Sequence, residues 1–202
     1  MNDPSTGASR TAAAGAADKR GIRSLVRARR LARDEAARER IGEALTERLA
    51  RLVSDRGARR IACYLPVAGE PDTRGFLAWA AEAGVETILP SSREDGLLDW
   101  VPAGDGTTAT GAFGIPEPLG ARLPPEALGG VDLALVPACA VDGRGVRLGW
   151  GRGYFDRTLA AIGRRPQVFA VVHDDEVFET LPSEPHDVPV AGAVTPERVL
   201  LF

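Results

Sequence analysis

The chain has 202 residues, a length that suits one domain with a full hydrophobic core and argues against a two-domain enzyme. Its formal net charge of −3 lacks the positive field expected of a general nucleic-acid binder. No apolar run approaches the roughly 18 residues that a membrane span needs. Cys63 and Cys139 both lie inside apolar stretches, as reduced, buried cysteines do. Composition therefore predicts a soluble cytoplasmic protein that binds neither nucleic acid nor membrane.

The N-terminal part of the chain predicts a tail followed by two helices. Residues 1–17 are small and polar, which predicts a disordered tail before a single domain over residues 18–202. In the segment 19–33, apolar residues recur between arginines as in a short, very basic helix. Asp34 is then a predicted N-cap, and the apolar residues after it keep helical spacing up to a stop at Gly57.

A strand–helix–strand unit follows these helices. Residues 60–65 form a short apolar run before a proline, which predicts a buried strand. Asp72 is a predicted cap for a helix that Gly84 closes, and residues 85–89 predict a second strand. The chain therefore leaves one strand and returns through a helix to a neighbouring one.

A second unit of the same kind lies nearer the C-terminus. The segment 91–130 is rich in glycine, proline and threonine, so it predicts mostly loop with one strand over residues 97–101. Residues 131–136 then predict a fully buried strand, residues 153–162 a helix and residues 168–172 another strand.

Two such units predict the fold class. We expect an α/β domain with a doubly wound, mostly parallel sheet, helices on both faces and two N-terminal helices. In folds of this kind, ligands bind where the parallel strands end.

The segment between the buried strand and the second helix has the composition of an anion site. Residues 142–157 contain five glycines and four arginines. Glycine lets backbone N–H groups approach a ligand closely, a helix N-terminus adds partial positive charge, and arginine presents paired donors that match phosphate or carboxylate. The segment matches neither common nucleotide-loop motif. A pair of tight turns with solvated arginines is the alternative.

The run from Arg147 to Arg157 resembles the R-L-G-x-G-x-G-Y-Y-D signature of the 5-formyltetrahydrofolate cyclo-ligase family, whose members are also called methenyltetrahydrofolate synthetases. Four further segments are similar to segments of that family in the same order; they are residues 19–23, 65–73, 132–142 and 185–187. The likeness covers about residues 18–202. The resemblance implies a NagB/CoA-transferase-like fold. It also implies an enzyme that uses ATP and Mg²⁺ to convert 5-formyltetrahydrofolate to 5,10-methenyltetrahydrofolate, and we expect a monomer.

The resemblance assigns roles to individual residues. For ATP it implies Lys19, Arg20, Arg23, Arg147, Leu148, Gly149, Trp150, Gly151, Arg152, Gly153, Tyr154 and Phe155. For the folate substrate it implies Leu65, Glu70, Trp150, Gly151, Arg152, Gly153 and Tyr154. Arg152 and Tyr154 are the implied catalytic residues, and Asp156 and Asp187 the implied magnesium ligands.

Each of these residues also has an ordinary structural interpretation. Lys19 and Arg23 are four apart on a helix and can address phosphates together, but they equally suit a solvated basic face. Glu70 and Asp187 suit turns, and Asp156 suits the first turn of a helix, where an acid complements the helix dipole.

The chain departs from the family pattern at three positions. Phe155 replaces the second tyrosine of the signature, Arg152 stands where some members carry lysine, and Ala191 falls where the family often has an aspartate. Two other functions therefore stay open: a member of the family that binds folate or nucleotide without turnover, and an enzyme of this fold that acts on another carboxylate metabolite.

Overall fold

The computed structural model describes residues 5–104, 108–111, 116–184 and 187–202, and within the first of these ranges it leaves the side chains of residues 5–17 undescribed. The first helix begins at Ser5, whereas the sequence predicts helix only from residue 19. Residues 5–17 have helical backbone and residues 1–4 lie outside the described residues, so the start of the domain at residue 18 stays a prediction. Two residues of the late motif, Pro185 and His186, also lie outside the described residues.

Four α-helices are described: α1 Ser5–Ala32, α2 Glu35–Asp55, α3 Arg74–Glu82 and α4 Tyr154–Ala161. The predicted start and stop of α2 are confirmed. The carboxylate of Asp34 accepts a hydrogen bond of 2.7 Å from the amide of Ala37. Gly57 follows the helix with φ +58°, in the left-handed region that glycine adopts at low cost.

Short strands form the rest of the regular structure. The bounds are β1 Arg60–Ala62, β2 Glu86–Ser92, β3 Leu98–Pro102, β4 Thr108–Thr110, β5 Pro116–Pro118, β6 Leu133–Pro137, β7 Ala140–Asp142, β8 Arg147–Leu148, β9 Gln167–Val171, β10 Val177–Phe178, β11 Gly192–Val194 and β12 Val199–Leu201. Two 3₁₀ segments, Pro125–Gly130 and Asp174–Glu176, precede β6 and β10.

The main sheet has seven strands in the order β12-β11-β9-β6-β1-β2-β3. The pairs β11–β9, β9–β6, β6–β1 and β1–β2 are parallel, and the two edge strands β3 and β12 pair antiparallel. The chain winds outward in both directions from the boundary between β1 and β6, where Ile61 lies opposite Leu133. The predicted doubly wound, mostly parallel sheet is therefore confirmed.

Helices cover both faces of this sheet. On one face, Leu45 and Leu49 of α2 and Phe76 of α3 pack together with Ile61. On the other face, Leu159 of α4 packs with strand residues such as Val136 and Trp100. A third cluster joins Val26 of α1 to Leu148 of β8, which attaches the N-terminal helix to the glycine-rich segment.

The predicted cap of helix α3 is wrong. Helix α3 is preceded by Thr73, not Asp72, and the Thr73 side chain makes no capping hydrogen bond because its hydroxyl donates to the carbonyl of Tyr64 instead. Asp72 accepts from the amide of Arg74 at 2.9 Å.

Among the described residues, no helix combines the length and apolar character that a membrane crossing requires.

Candidate functional site

A cleft opens where β1 and β6 end, at the point where the sheet winding reverses. It encloses about 880 Å³ of space, part of which is open to solvent. The segment after β1 supplies one wall, through Leu65 and Glu70, and the glycine-rich segment supplies the opposite wall. The position agrees with the rule that open α/β sheets bind ligands at the carboxyl ends of their strands.

The glycine-rich segment reaches the cleft through backbone conformations that require glycine. Gly151 and Gly153 have φ of +98° and +68°. A Cβ on Gly153 would lie 2.9 Å from Nη1 of Arg157. The Arg157 guanidinium donates to the carbonyls of Gly96 and Arg152, at 3.0 and 2.7 Å, so it fixes the turn that starts α4. Substitution at Gly153 would therefore disturb both backbone and packing.

Arg147 and Asp156 form an ion pair on the cleft surface. The Arg147 guanidinium is buried, and it donates from Nη2 to the Asp156 carboxylate and from Nη1 to the carbonyl of Pro137. Within the described part of the chain, its Nε is buried without a hydrogen-bond partner. Because an unpaired polar group is costly to bury and Arg147 lines the cleft, this residue favours an anionic ligand there.

Helix α1 docks against the glycine-rich segment through its basic side. Arg23 Nε donates to the carbonyl of Gly149 at 2.9 Å, and the Arg23 guanidinium carbon lies 3.5 Å from the position of a Cβ on Gly151. Four residues earlier, Lys19 Nζ lies 3.3 Å from Glu184 and 3.4 Å from Asp187. Lys19 and Arg23 are therefore partly buried at the loop rather than on a wholly solvated face.

Arg30 of α1 is a buried residue that sequence reasoning missed. Its guanidinium forms a two-pronged ion pair with the fully buried Glu176, at 2.7 and 2.8 Å, and also donates to the carbonyl of Ala138. It lies over the Trp150 ring at 5.0 Å from the ring centroid. In the sequence Arg30 is one of several arginines of a basic helix, and nothing there indicates a partner 146 residues away.

Glu70 has the environment of a substrate-side acid. Its carboxylate accepts a hydrogen bond of 3.1 Å from the amide of Val67. Burial raises the pKa of Glu70 above the ordinary value, while that hydrogen bond and the charge of Arg30 act in the opposite direction. The side chain lines the cleft with Leu65, as the resemblance implies, but the Val67 contact alone also suits a turn.

A second acid, Glu117 of β5, lines the cleft and was missed by sequence reasoning. It is buried, and its oxygens accept hydrogen bonds from the Ser91 hydroxyl at 2.9 Å and the Ser92 amide at 3.0 Å. The segment 91–130 shows no periodicity. The only signal in the sequence is an acid within a proline-rich stretch.

The departures from the family pattern have identifiable surroundings. Phe155 packs edge-on against Trp100, with ring centroids 6.4 Å apart, so its ring completes an apolar wall without a hydroxyl. Arg152 is exposed at the cleft rim. The amide of Ala191 bonds to Val168 where β9 and β11 begin, at the sheet edge opposite the carboxyl ends.

The two predicted magnesium ligands are held by different cations. Asp156 pairs with Arg147, and Asp187 accepts from Lys19 and from the amide of Glu184. Residues 5–104, 108–111, 116–184 and 187–202, as far as their side chains are described, contain no group of three or more side chains able to ligate a metal. Mg²⁺ needs only one or two protein carboxylates when phosphate oxygens and water complete its shell, so Asp156 at the cleft fits such a role.

The structure brings most of the predicted residues to one place. Those that line the cleft are Leu65, Glu70, Arg147, Gly149, Trp150, Arg152, Gly153, Tyr154, Phe155 and Asp156. Lys19 and Arg23 lie behind the loop on α1, and Leu148 packs in the cluster beneath it. Arg20 is exposed on α1, where its proposed ATP contact stays a prediction.

Comparisons with known proteins agree on one family. Residues 15–196 match the model of the 5-formyltetrahydrofolate cyclo-ligase family. A 5-formyltetrahydrofolate cyclo-ligase of Mycolicibacterium smegmatis is 39% identical over 185 residues, which cover 89% of this chain and 94% of the relative. The 5,10-methenyltetrahydrofolate synthetase of Aquifex aeolicus superposes with a TM-score of 0.76 at 32% identity, over 91% of this chain and 92% of its own. A Mycoplasma pneumoniae synthetase, 19% identical, shares the fold with a TM-score of 0.71 over 89% of this chain and 99% of its own.

Proposed function

Because the chain belongs to the 5-formyltetrahydrofolate cyclo-ligase family, we propose that it catalyses the ATP- and Mg²⁺-dependent cyclisation of 5-formyltetrahydrofolate to 5,10-methenyltetrahydrofolate. ADP and inorganic phosphate are the other products. We further propose that the enzyme is a cytoplasmic monomer that needs no nucleic acid or membrane partner.

One observation carries this proposal: the cleft joins a cationic glycine-rich wall to an acidic wall. The first wall presents Arg147 and Arg152, which suit phosphoryl oxygens. The second presents the carboxyl groups of Glu70 and Glu117, which suit the N–H donors of a pterin. A reaction between a nucleotide and a folate needs both walls within one cavity.

The reaction has two steps, and the protein contributes chiefly position and charge to each. The formyl oxygen attacks the γ-phosphorus of ATP, and ADP leaves. N10 of the folate then attacks the activated formyl carbon and loses its proton to solvent, and the phosphate leaves with the former formyl oxygen. Arg147 and Arg152 neutralise the transferred phosphoryl group, and the ring of Tyr154 holds the folate against the loop.

Magnesium fits beside Asp156. Bound with the nucleotide, Mg²⁺ would neutralise phosphate charge and align the phosphates for transfer. Asp156 would hold it from the first turn of α4, where the carboxylate already faces the cleft. Asp187, next to Lys19, is the second proposed ligand.

A direct assay tests the proposal. The purified protein is mixed with 5-formyltetrahydrofolate, ATP and Mg²⁺, and absorbance follows the conjugated methenyl product. We expect product only when ATP and Mg²⁺ are both present, with one ADP and one phosphate released per turnover. Folate binding without turnover would instead favour a binding-only member of the family, and turnover of a different carboxylate would favour another substrate.

A further inference from the structure

A second groove runs beside the cleft, between the α1–α2 junction and the segment after β1. It shares Val67 and Glu70 with the cleft, so the same segment lines both cavities. The function proposed above does not use this side groove. Arg30, Arg33 and His173 are among the residues that line it.

These three residues each present a buried polar atom without a partner. Within the part of the chain that the structure describes, Arg30 Nη1, Arg33 Nη1 and His173 Nδ1 have no hydrogen-bond acceptor or donor. The Arg30 side chain is 3% exposed and His173 is 6% exposed, so neither is a surface group. Buried polar atoms are nearly always paired in folded proteins, and three unpaired atoms at one place point to a ligand.

Neighbouring residues hold all three side chains in position. Glu176 fixes Arg30 through its Nε and Nη2, and the same carboxylate accepts from the backbone amide of His173 at 2.9 Å. Asp175 fixes Arg33 through Nη2 at 2.6 Å. The remaining guanidinium nitrogens are therefore already oriented, and a ligand would lose little affinity in ordering them.

The chemistry of this cluster selects a carboxylate. Two guanidinium donors match the two oxygens of a planar anion. Burial, together with the charges of Arg33 and Arg30, lowers the pKa of His173 to about 3, so its imidazole is neutral near pH 7 and can still offer an N–H. The α2 side of the groove is predominantly acidic, which disfavours a polyanion; its charged residues are Glu35, Arg38, Glu39, Glu43 and Glu47.

We propose that Arg30, Arg33 and His173 form a binding site for a single carboxylate group that enters the side groove end-on. If the function proposed above holds, the natural source is a carboxylate of the substrate's glutamyl tail, because the groove adjoins the cleft along Val67 and Glu70, which line both cavities. A free carboxylate metabolite has the same chemistry and is the second source.

A binding experiment tests the site without any turnover. Sodium N-acetylglutamate is titrated into the protein, with its neutral diamide as the comparison ligand, by calorimetry and by the fluorescence of Trp150, which stacks on Arg30. We expect the acid to bind and the diamide not to. Arg33→Gln and His173→Gln should weaken binding about tenfold or more. Arg29→Gln is the matched control, since Arg29 lies on α1, contacts the carbonyl of Asp175 and is exposed.

A kinetic experiment distinguishes the two sources. KM is measured for 5-formyltetrahydrofolate and for its tail diamide in the wild type, Arg33→Gln and Arg29→Gln. If KM rises only for 5-formyltetrahydrofolate, not for its tail diamide, and only in Arg33→Gln, the bound group is the tail carboxylate. Unchanged KM with lost N-acetylglutamate binding identifies a free carboxylate. Equal behaviour of Arg33→Gln and Arg29→Gln in both experiments would overturn the site. If the wild type binds N-acetylglutamate but turns over no folate, the site stands and the proposed function fails.

Discussion

The buried guanidinium of Arg147 holds the carboxylate of Asp156 on the cleft surface. The residue proposed to bind Mg²⁺ therefore has a structural partner within the protein. This pairing gives Asp156 two separable duties: it compensates a buried charge at all times, and it offers an oxygen to a metal when nucleotide is bound.

Asp156→Asn separates these duties. The amide is nearly isosteric but leaves Arg147 with a neutral partner, so we expect a loss of about 1–3 kcal/mol in the free energy of unfolding. If Asp156 also binds Mg²⁺, turnover falls at least 100-fold or requires far more Mg²⁺, because an amide is a weak substitute for an anionic ligand. Urea denaturation and a Mg²⁺ titration of the rate measure the two effects.

The control for this prediction is Asp72→Asn. Asp72 also lies beside a helix start and pairs with an arginine, Arg74, but both are largely exposed. We expect it to change stability by less than about 1 kcal/mol and to leave the Mg²⁺ titration unchanged. A stability loss in Asp156→Asn with a wild-type Mg²⁺ titration would make Asp156 only the partner of Arg147.

Lys19→Ala tests the proposed phosphate contact of α1. Lys19 is the one lysine in the chain, and its Nζ lies 3.3 Å from Glu184 and 3.4 Å from Asp187. We expect KM for ATP to rise about tenfold with little change in KM for folate, since the lost charge-assisted contact concerns phosphate. Arg51→Ala, exposed on α2, should change neither constant. An unchanged KM for ATP would leave Lys19 with its structural ion pairs alone.

The sequence predicts the fold well because its signals are local. The α2 boundaries follow from Asp34 and Gly57, whose effects act within one turn. Buried strands such as β6 are recognisable because they are short continuous apolar runs. The edge strand β12 was missed although residues 199–202 are apolar, because a strand of three residues is too short to show a period.

The candidate site is predictable only where its residues are contiguous. The glycine-rich segment supplies eight of the 18 residues that line the cleft within eleven positions, so a motif reveals it. The Arg30–Glu176 pair joins positions 146 apart, and the Ser91–Glu117 contact joins positions 26 apart. Neither spacing leaves a trace in a single sequence, because tertiary packing alone brings those side chains together.

Glu117→Gln tests the acid that the sequence did not reveal. The Glu117 carboxylate accepts from Ser91 and Ser92 and lines the cleft opposite the glycine-rich wall. We expect KM for 5-formyltetrahydrofolate to rise about 10- to 100-fold, the value of a hydrogen bond to a charged group, with KM for ATP within about twofold. Glu126→Gln, at an exposed acid nearby in the chain, is the control. If the two variants have equal kinetics, Glu117 only stabilises β2 through its hydrogen bonds with Ser91 and Ser92.

His173→Gln tests whether the imidazole in the side groove is neutral in the folded protein. The pKa of His173 is lowered from 6.5 to about 3, first by burial and then by the charges of Arg33 and Arg30. Because the pKa of His173 is lowered in the fold, the unfolded chain binds a proton at this position between about pH 3 and pH 6.5, and the folded chain does not. The stability associated with His173 is therefore complete above about pH 6.5 and is lost as the pH falls toward 3.

The measurement is urea denaturation of the wild type and His173→Gln at pH 7 and pH 5. Between these values the wild type should lose about 2 kcal/mol more than the variant, because only its unfolded state gains the extra proton at this position. His186 is present in both proteins, so its titration cancels in the comparison. Parallel losses in the two proteins would mean that His173 titrates normally in the fold, and the side groove would then present an imidazolium rather than a neutral ring in mild acid.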